Sequence, residues 1–166
     1  MFKIGDKAVY PAQGLVEIES IESREISGTK SDFYILRIVN TDMTIILPVA
    51  NVESVGMRDL VDSSQIAEVM DLFRNEYHLD GPLPSRSRRQ KIYQDKIRSG
   101  NLREVALVLR ELCFLKENKD LSYGEKKYLE QARKLVIQEL AYAHGCPEEE
   151  MTTEIESLLA HSRNVF

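Results

Sequence analysis

The spacing of apolar residues changes within residues 52–73, VESVGMRDLVDSSQIAEVMDLF. Before this stretch, apolar and polar residues tend to alternate, which is typical of half-buried strands. Within it, Asp62-Ser63-Ser64-Gln65 has the spacing of a helix capping box, and the apolar residues that follow recur at helical spacing: Ile66, Val69, Met70 and Phe73. The change predicts two domains, residues 1–60 built from strands and residues 61–166 built from helices.

Outward from this point, the first 60 residues predict five short strands. Apolar residues alternate with glutamates in residues 16–22, and residues 34–38 repeat the alternation. Residues 7–10 and 43–47 predict two more strands, and Val52–Val55 predicts a short fifth strand that ends at Gly56. Short strands with tight turns favour a small antiparallel barrel or curled sheet. Such a sheet has edge strands that something must cover.

Residues 61–166 predict a compact, all-helical bundle. A basic helix follows a Pro- and Gly-containing loop at residues 78–84 and ends at Gly100. A second capping box, Ser122-Tyr123-Gly124-Glu125, predicts the start of a helix that ends at Gly145. The fold class predicted for the whole chain is therefore α+β, with the sheet first and the helices after it.

The distribution of charge is uneven. The 166 residues carry a net charge of -5, yet residues 86–103 contain seven Lys or Arg residues and one acidic residue, Asp95. A local basic segment in an acidic chain can hold phosphates even though the rest of the surface repels nucleic acid. The alternative interpretation is a solvated helix face that is basic for no functional reason.

The sequence contains no motif that would indicate an enzyme. No phosphate-binding loop, nucleotide fingerprint or nucleophile elbow occurs. Cys113 and Cys146 do not form a CxxC pair, and His78, His144 and His161 have no metal-ligand spacing. We therefore expect no catalysis, no metal, no cofactor and no small-molecule substrate.

The expected location is the cytoplasm. No apolar run approaches the roughly 18 residues of a membrane helix. The opening residues, MFKIGD, lack the apolar region of a signal peptide. Two cysteines without a disulfide framework suit a reducing compartment.

Three segments resemble the CarD/CdnL family of bacterial transcription regulators. They are FKIGDKAVYPAQG at residues 2–14, SRRQK at residues 87–91 and LSYGEK at residues 121–126. The last continues through Leu129, Ala132-Arg133, Glu139 and Leu140-Ala141. The resemblance keeps its order and spacing over essentially the whole chain.

The resemblance implies a function for each domain. Residues 1–60 would be a Tudor-like domain that binds the β subunit of RNA polymerase. Residues 61–166 would lie against promoter DNA, largely without reading its sequence. Together the two domains would stabilise the open promoter complex.

The expected contact residues follow from the resemblance and from the physics of edge strands and phosphates. An edge strand can accept a strand from a partner. The residues expected to bind polymerase are Arg24, Met43, Thr44, Ile45, Ile46, Leu47 and Pro48. The residues expected to contact DNA are Arg86, Arg88, Arg89, Lys91 and Lys96. The alternative for the strand is that Ile45 and Leu47 are only core residues and Ile46 is a lone exposed apolar residue.

Two positions depart from the family pattern. The family usually has a tryptophan wedge before the Ser-Arg-Arg run, whereas this chain has Arg86 there and no tryptophan. Ile46 stands where some members have a basic residue. A competing hypothesis is a protein adaptor that docks on polymerase and binds another protein with its helical domain. Arg86 favours the adaptor, and the basic segment favours contact with DNA.

Overall fold

The computed structural model describes residues 1–77, 79 and 81–163, with only the backbone of residues 161–163. The predicted loop at 78–84 is thus described only in part. The chain divides into two compact units, Met1–Leu60 and Val61–Phe166. Each unit is described by itself below.

The first unit is a four-stranded antiparallel sheet in which each strand pairs with the next along the chain. The strands are β1 (Lys7–Tyr10), β2 (Gly14–Ile26), β3 (Thr29–Ile38) and β4 (Thr44–Pro48). Gly28 turns the chain between β2 and β3 at a φ of 80°, which favours glycine. A register shift between Ile18 and Ser20 marks a bulge in β2, and bulges bend a strand and increase its twist. The sheet curls into a half-barrel.

The core of this unit is formed by the face towards which the alternating apolar residues point. Val16, Ile18, Tyr34, Leu36 and Leu47 are buried there. Because the side chains of a strand alternate between its two faces, this burial requires the register seen between β2, β3 and β4. The predicted curled antiparallel sheet is confirmed.

The predicted fifth strand is wrong. Val49–Asn51 form a 3-10 turn after Pro48, and Val52–Val55 form a one-turn helix, α1. Val52 and Val55 both pack against the sheet core. A spacing of three residues brings two side chains to the same side of a helix, whereas it would place them on opposite faces of a strand. Gly56 ends the turn in the left-handed conformation, with a φ of 81°.

The second unit consists of five helices in its described residues. They are α2 (Ser63–Arg74), α3 (Arg86–Arg98), α4 (Leu102–Asn118), α5 (Tyr123–His144) and α6 (Glu148–Arg163). Both predicted capping boxes are present. The side chain of Asp62 accepts a hydrogen bond from the backbone N–H of Gln65, and Ser122 does the same for Glu125. The predicted all-helical region is confirmed.

The helices bury one apolar stripe each against a common core. Each of the five helices contributes buried residues to this core, for example Phe73, Ile97, Leu112, Leu140 and Ile155. α3 buries only Arg89, Tyr93 and Ile97 along its thirteen residues. The other residues of α3 are exposed or half-buried.

Two neighbouring residues of β4 should respond very differently to substitution. Leu47 is buried, whereas Ile46 is half exposed on the opposite face. We expect Leu47→Ala to lower the free energy of unfolding by about 2–5 kcal/mol, because it leaves a cavity in the sheet core. Ile46→Ala should cost about 1 kcal/mol or less. Urea denaturation of the full chain measures both, and equal costs would contradict the assigned register.

Candidate functional sites

The outer edge of β4 is the first candidate site. β4 is the last strand of the sheet, and the backbone N–H of Ile38 donates to the carbonyl of Met43 at 3.0 Å. Pairs in an antiparallel ladder alternate between bonded and non-bonded. From the register, Leu36–Ile45 and Tyr34–Leu47 are then the bonded pairs. The backbone groups of Thr44 and Ile46 therefore point away from β3.

The side chains of this strand divide in the same alternating way. Leu47 is buried and Ile45 packs partly against the core. Ile46 is 50% exposed on the other face, and Met43 is exposed just before the strand. The strand thus presents unpaired backbone groups and an apolar side chain at an accessible edge.

Arg24 lies on the same face of the sheet as Ile46. Arg24 pairs with Ser31 and Ile46 pairs with Ile35, and residues 31 and 35 share a face of β3 because they are four apart. That separation corresponds to about 13 Å along the strand. Arg24 is exposed and bound to Glu22 at 2.8 Å. A partner on this face would meet an arginine whose charge is shared with a neighbouring carboxylate.

The exposed face of α3 is the second candidate site. Arg86 and Arg88 are exposed in its first turn, and neither guanidinium has a partner among the described residues. Lys91 binds Asp95 at 3.0 Å, and Lys96 lies 3.7 Å from Glu104. Of the five predicted phosphate contacts, Arg86 and Arg88 are therefore the most available.

Arg89 has a different position from the one predicted. Its side chain is only 9% exposed, and its Nη2 binds Oε2 of Glu125 at 3.1 Å. Its Nη1 donates to the carbonyl of Pro84 at 2.9 Å. A guanidinium that is buried and already bound is not available to a phosphate, so Arg89 holds α3 in place.

Glu125 joins three parts of the helical unit. One carboxylate oxygen accepts the backbone N–H of Ser122 in the capping box, and the other binds Arg89 and lies 3.9 Å from Nζ of Lys119. Burial alone would raise the pKa of Glu125, but its hydrogen bonds with Ser122 and Arg89 outweigh burial and lower it. Glu125 is therefore a buried, ionised carboxylate.

A cavity of about 200 Å³ lies between α3 and α4. Its walls include Tyr77, Tyr93, Arg110 and Glu111. Burial, together with the nearby Glu111 carboxylate, raises the pKa of Tyr93, and the Arg110 guanidinium lies over the Tyr77 ring at 4.6 Å. Tyr93 thus stays neutral at physiological pH, and Arg110 is held over the Tyr77 ring.

The cysteines and histidines do not assemble into a site in the described part of the chain. Cys113 and Cys146 are unbridged and partly buried, and burial raises the pKa of the Cys146 thiol. Within the described ranges, no three His, Cys, Asp or Glu side chains could hold a metal ion together. His78 and the side chain of His161 lie outside the described residues.

Sequence reasoning missed two residues near α3. The capping box at Ser122 was predicted, but the ion pair of its Glu125 with Arg89 joins residues 36 positions apart, and no local pattern reports such a contact. Tyr123 is 85% exposed at the first position of α5. Its position in a family motif gave no indication that its ring faces solvent.

Comparison with known proteins assigns the chain to a family. The CarD-like/TRCF RID domain matches residues 2–61, and the CarD C-terminal domain matches residues 68–156. This protein belongs to the CarD/CdnL family. The Bacillus subtilis (strain 168) protein named "Putative transcription factor YdeB" is 35% identical over 151 residues, which cover 91% of this chain and 97% of that protein.

A solved structure is similar to part of this CarD-family protein. CdnLNt from Myxococcus xanthus has 48% sequence identity, covers 37% of this chain and 86% of its own, and gives a TM-score of 0.33.

Membership has consequences for function. The family consists of transcription factors and not of enzymes, and its RID domain is an RNA polymerase-interacting domain. This CarD-family protein is therefore a transcription regulator that interacts with RNA polymerase. No helix in the described residues combines the length and apolar character needed to cross a membrane.

Breaking the Arg89–Glu125 pair should strongly destabilise the helical unit. Arg89→Met leaves Glu125 buried without its closest cation, and we expect a loss of about 3–5 kcal/mol at pH 7. The control is Lys91→Met, which removes an exposed pair on the same helix and should cost about 1 kcal/mol or less. Urea denaturation of the full chain measures both.

The pH dependence of this loss has a defined sign. Folding lowers the pKa of Glu125, so the stabilisation is fully present above the ordinary value of about 4.3 and disappears as the pH falls through the lower, folded value. The difference between wild type and Arg89→Met should therefore shrink below about pH 4. A difference independent of pH between 7 and 3 would show that Glu125 is not the group concerned.

Proposed function

We propose that this CarD-family regulator binds the β subunit of RNA polymerase through the β4 edge and contacts promoter DNA with α3, thereby stabilising the open promoter complex. The observation that carries the proposal is the free edge of β4, where Thr44 and Ile46 direct backbone groups away from the sheet. Residues 1–60 are the polymerase-binding half, and residues 61–166 are the DNA-contacting half. Because its partner works on DNA in the bacterial cytoplasm, the regulator acts there.

A strand from the β subunit would continue the sheet beyond β4. Its backbone would pair with Thr44 and Ile46, and main-chain hydrogen bonds of this kind supply affinity without depending on side chains. The side chain of Ile46 adds apolar contact on one face, and Met43 and Pro48 flank the paired segment. Ile45 and Leu47 contribute indirectly, because their burial fixes the register of the edge.

Arg24 supplies the electrostatic part of the same interface. It lies on the face of Ile46 and is exposed, so an acidic group of the β subunit can replace Glu22 as its partner. Charged groups at the rim of an interface change the rate of association and its salt dependence more than the final affinity. Arg24 is therefore a steering and selectivity residue.

Phosphate contacts by α3 rest chiefly on Arg86 and Arg88. Lys91 and Lys96 add less, because Asp95 and Glu104 already offset their charges. Arg89 positions the helix through its buried ion pair with Glu125. With a net charge of -5 on the chain, free DNA is bound weakly, and binding to polymerase raises the effective concentration of promoter DNA near α3.

A proline at Ile46 tests the edge. It removes an outward-pointing N–H and places its ring in the path of an incoming strand, while the hydrogen bonds of Ile45 and Leu47 to β3 remain. We expect the affinity of the full chain for purified β subunit, measured by biolayer interferometry, to fall about tenfold or more. Ile46→Ala keeps the N–H and should lose less. A folded Ile46→Pro protein with unchanged affinity would remove strand pairing from the proposal.

Charge reversal at Arg24 tests whether this residue lies at the rim of the interface with the β subunit. Arg24→Glu should slow association with the β subunit, and the effect should diminish as salt is raised. The matched control is Lys30→Glu, which makes the same change in net charge one pair along the hairpin, on the opposite face. Equal effects of the two reversals would indicate a general charge effect and not a contact at Arg24.

The salt dependence of DNA binding tests α3. Each phosphate contact contributes about 0.9 to the slope of log affinity against log salt. Arg86→Ala and Arg88→Ala should each reduce the slope by about that amount, with little dependence on DNA sequence. Arg74→Ala on α2 changes the net charge equally and should leave the slope unchanged. Fluorescence anisotropy of the full chain with duplex DNA between about 50 and 200 mM salt measures the slope.

The same variants decide between DNA contact and an adaptor. The half-life of a heparin-challenged promoter complex should shorten when Arg86 and Arg88 are both replaced by alanine. If the half-life is unchanged while polymerase binding is intact, the helical unit acts through another protein.

A further inference from the structure

The cavity between α3 and α4 is lined by residues whose hydrogen-bonding groups are not satisfied. Three buried side-chain atoms have no hydrogen-bond partner in the described part of the chain: Nε of Arg89, Oη of Tyr93 and Nε of Arg110. All three belong to residues that line this one cavity. A buried polar group without a partner costs free energy, and proteins satisfy nearly all such groups. Three of them around a single space indicate that an occupant of that space accepts their hydrogen bonds.

The three unsatisfied groups are hydrogen-bond donors. The N–H of an arginine Nε only donates, and a tyrosine hydroxyl donates one hydrogen bond. Tyr93 is 1% exposed and Arg89 is 8% exposed, so bulk water does not serve them. Glu111 is the acidic residue in the wall. Its carboxylate accepts a hydrogen bond from the Tyr77 hydroxyl at 3.3 Å and makes none with the three atoms. The missing groups are therefore acceptors.

The rest of the wall narrows the chemistry of the occupant. With Lys96, the wall contains three cations and one carboxylate, which favours a negatively charged acceptor. The wall also has an apolar part, formed by Tyr77, Ile92, Leu107 and Val108. A cavity of about 200 Å³ has room for several waters or for one small organic molecule. A molecule that combines an anionic group with an apolar body matches both parts of the wall.

We propose that this cavity binds a small carboxylate with an apolar or aromatic body. The carboxylate oxygens accept hydrogen bonds from Arg89, Tyr93 and Arg110, and the body of the ligand lies against the apolar part of the wall. Hydrogen bonds from a guanidinium to a carboxylate are stronger than those between neutral groups. A cavity leaves these side chains room to turn towards an occupant, which a closely packed core does not. The site is separate from the proposed contacts with polymerase and DNA, although Arg89 and Tyr93 belong to α3.

Titration of the full chain with benzoate tests the site. Benzoate has a carboxylate and an aromatic body, and nuclear magnetic resonance observes the Nε–H groups of arginine directly. Benzoate should move the Nε–H signals of Arg89 and Arg110 and slow their exchange with water. We expect a Kd of about 1 mM or tighter for a ligand of this size. Thermal denaturation should show a matching rise in Tm, because the ligand binds the folded state.

Three variants locate the binding. Tyr93→Phe removes one donor and should weaken benzoate binding about tenfold or more. The free variant should lose no stability in urea denaturation, because the hydroxyl that it removes has no partner. Tyr128→Phe makes the same change on a tyrosine whose ring contacts that of Tyr93 outside the cavity wall, and it should bind benzoate like wild type. Leu107→Trp fills the cavity with a larger side chain and should abolish binding.

Toluene and inorganic phosphate test the two parts of the ligand separately. If toluene binds as tightly as benzoate, the donors do not recognise a carboxylate and the proposal is wrong. If phosphate binds and benzoate does not, the class of ligand is wrong. If no probe binds at about ten times the expected Kd, ordered water satisfies the donors and the proposal fails. Benzoate binding that neither Tyr93→Phe nor Leu107→Trp reduces takes place elsewhere on the protein and also overturns it.

Discussion

The carboxylate of Glu125 binds two helices and a turn at once, and the arrangement of the helical unit depends on it. It closes the capping box at the start of α5, and it neutralises Arg89 of α3 in a place where neither charge meets water. A buried ion pair adds little net stability, but breaking one is costly because the remaining charge has no solvent. The pair therefore fixes where α3 lies together with the buried side chains of Tyr93 and Ile97.

The position of α3 determines which of its cations are available. Arg88 and Arg89 are neighbours in the sequence, yet Arg88 faces solvent and Arg89 is buried. The same contact joins α3 to the first turn of α5, whose Gly124 and Glu125 face Gln90 and Arg89. α3 thus has one arginine that holds the helix and two that remain exposed.

In the sheet unit, buried residues likewise determine which groups are exposed, and here these are backbone groups of β4. Each strand pairs with the next along the chain, so β4 has a partner on one side only. Burial of Ile45 and Leu47 fixes the register of β4, and the register directs the backbone groups of Thr44 and Ile46 outward. In both units the buried residues orient the exposed ones, and the exposed ones meet the proposed partners.

The sequence by itself determined the two-part fold, because strand and helix periodicities are local and change abruptly near residue 62. It also determined both capping boxes, the edge strand and the basic segment, each of which depends on residues close together in the chain. Short apolar segments were less certain: Val52–Val55 suits a strand, but three-residue spacing over the core makes it a helix. Only the tertiary structure decided that Arg89 is buried and that Arg86 and Arg88 remain available. The physical reason is that an arginine's partner is chosen in space, and Glu125 comes 36 residues after Arg89.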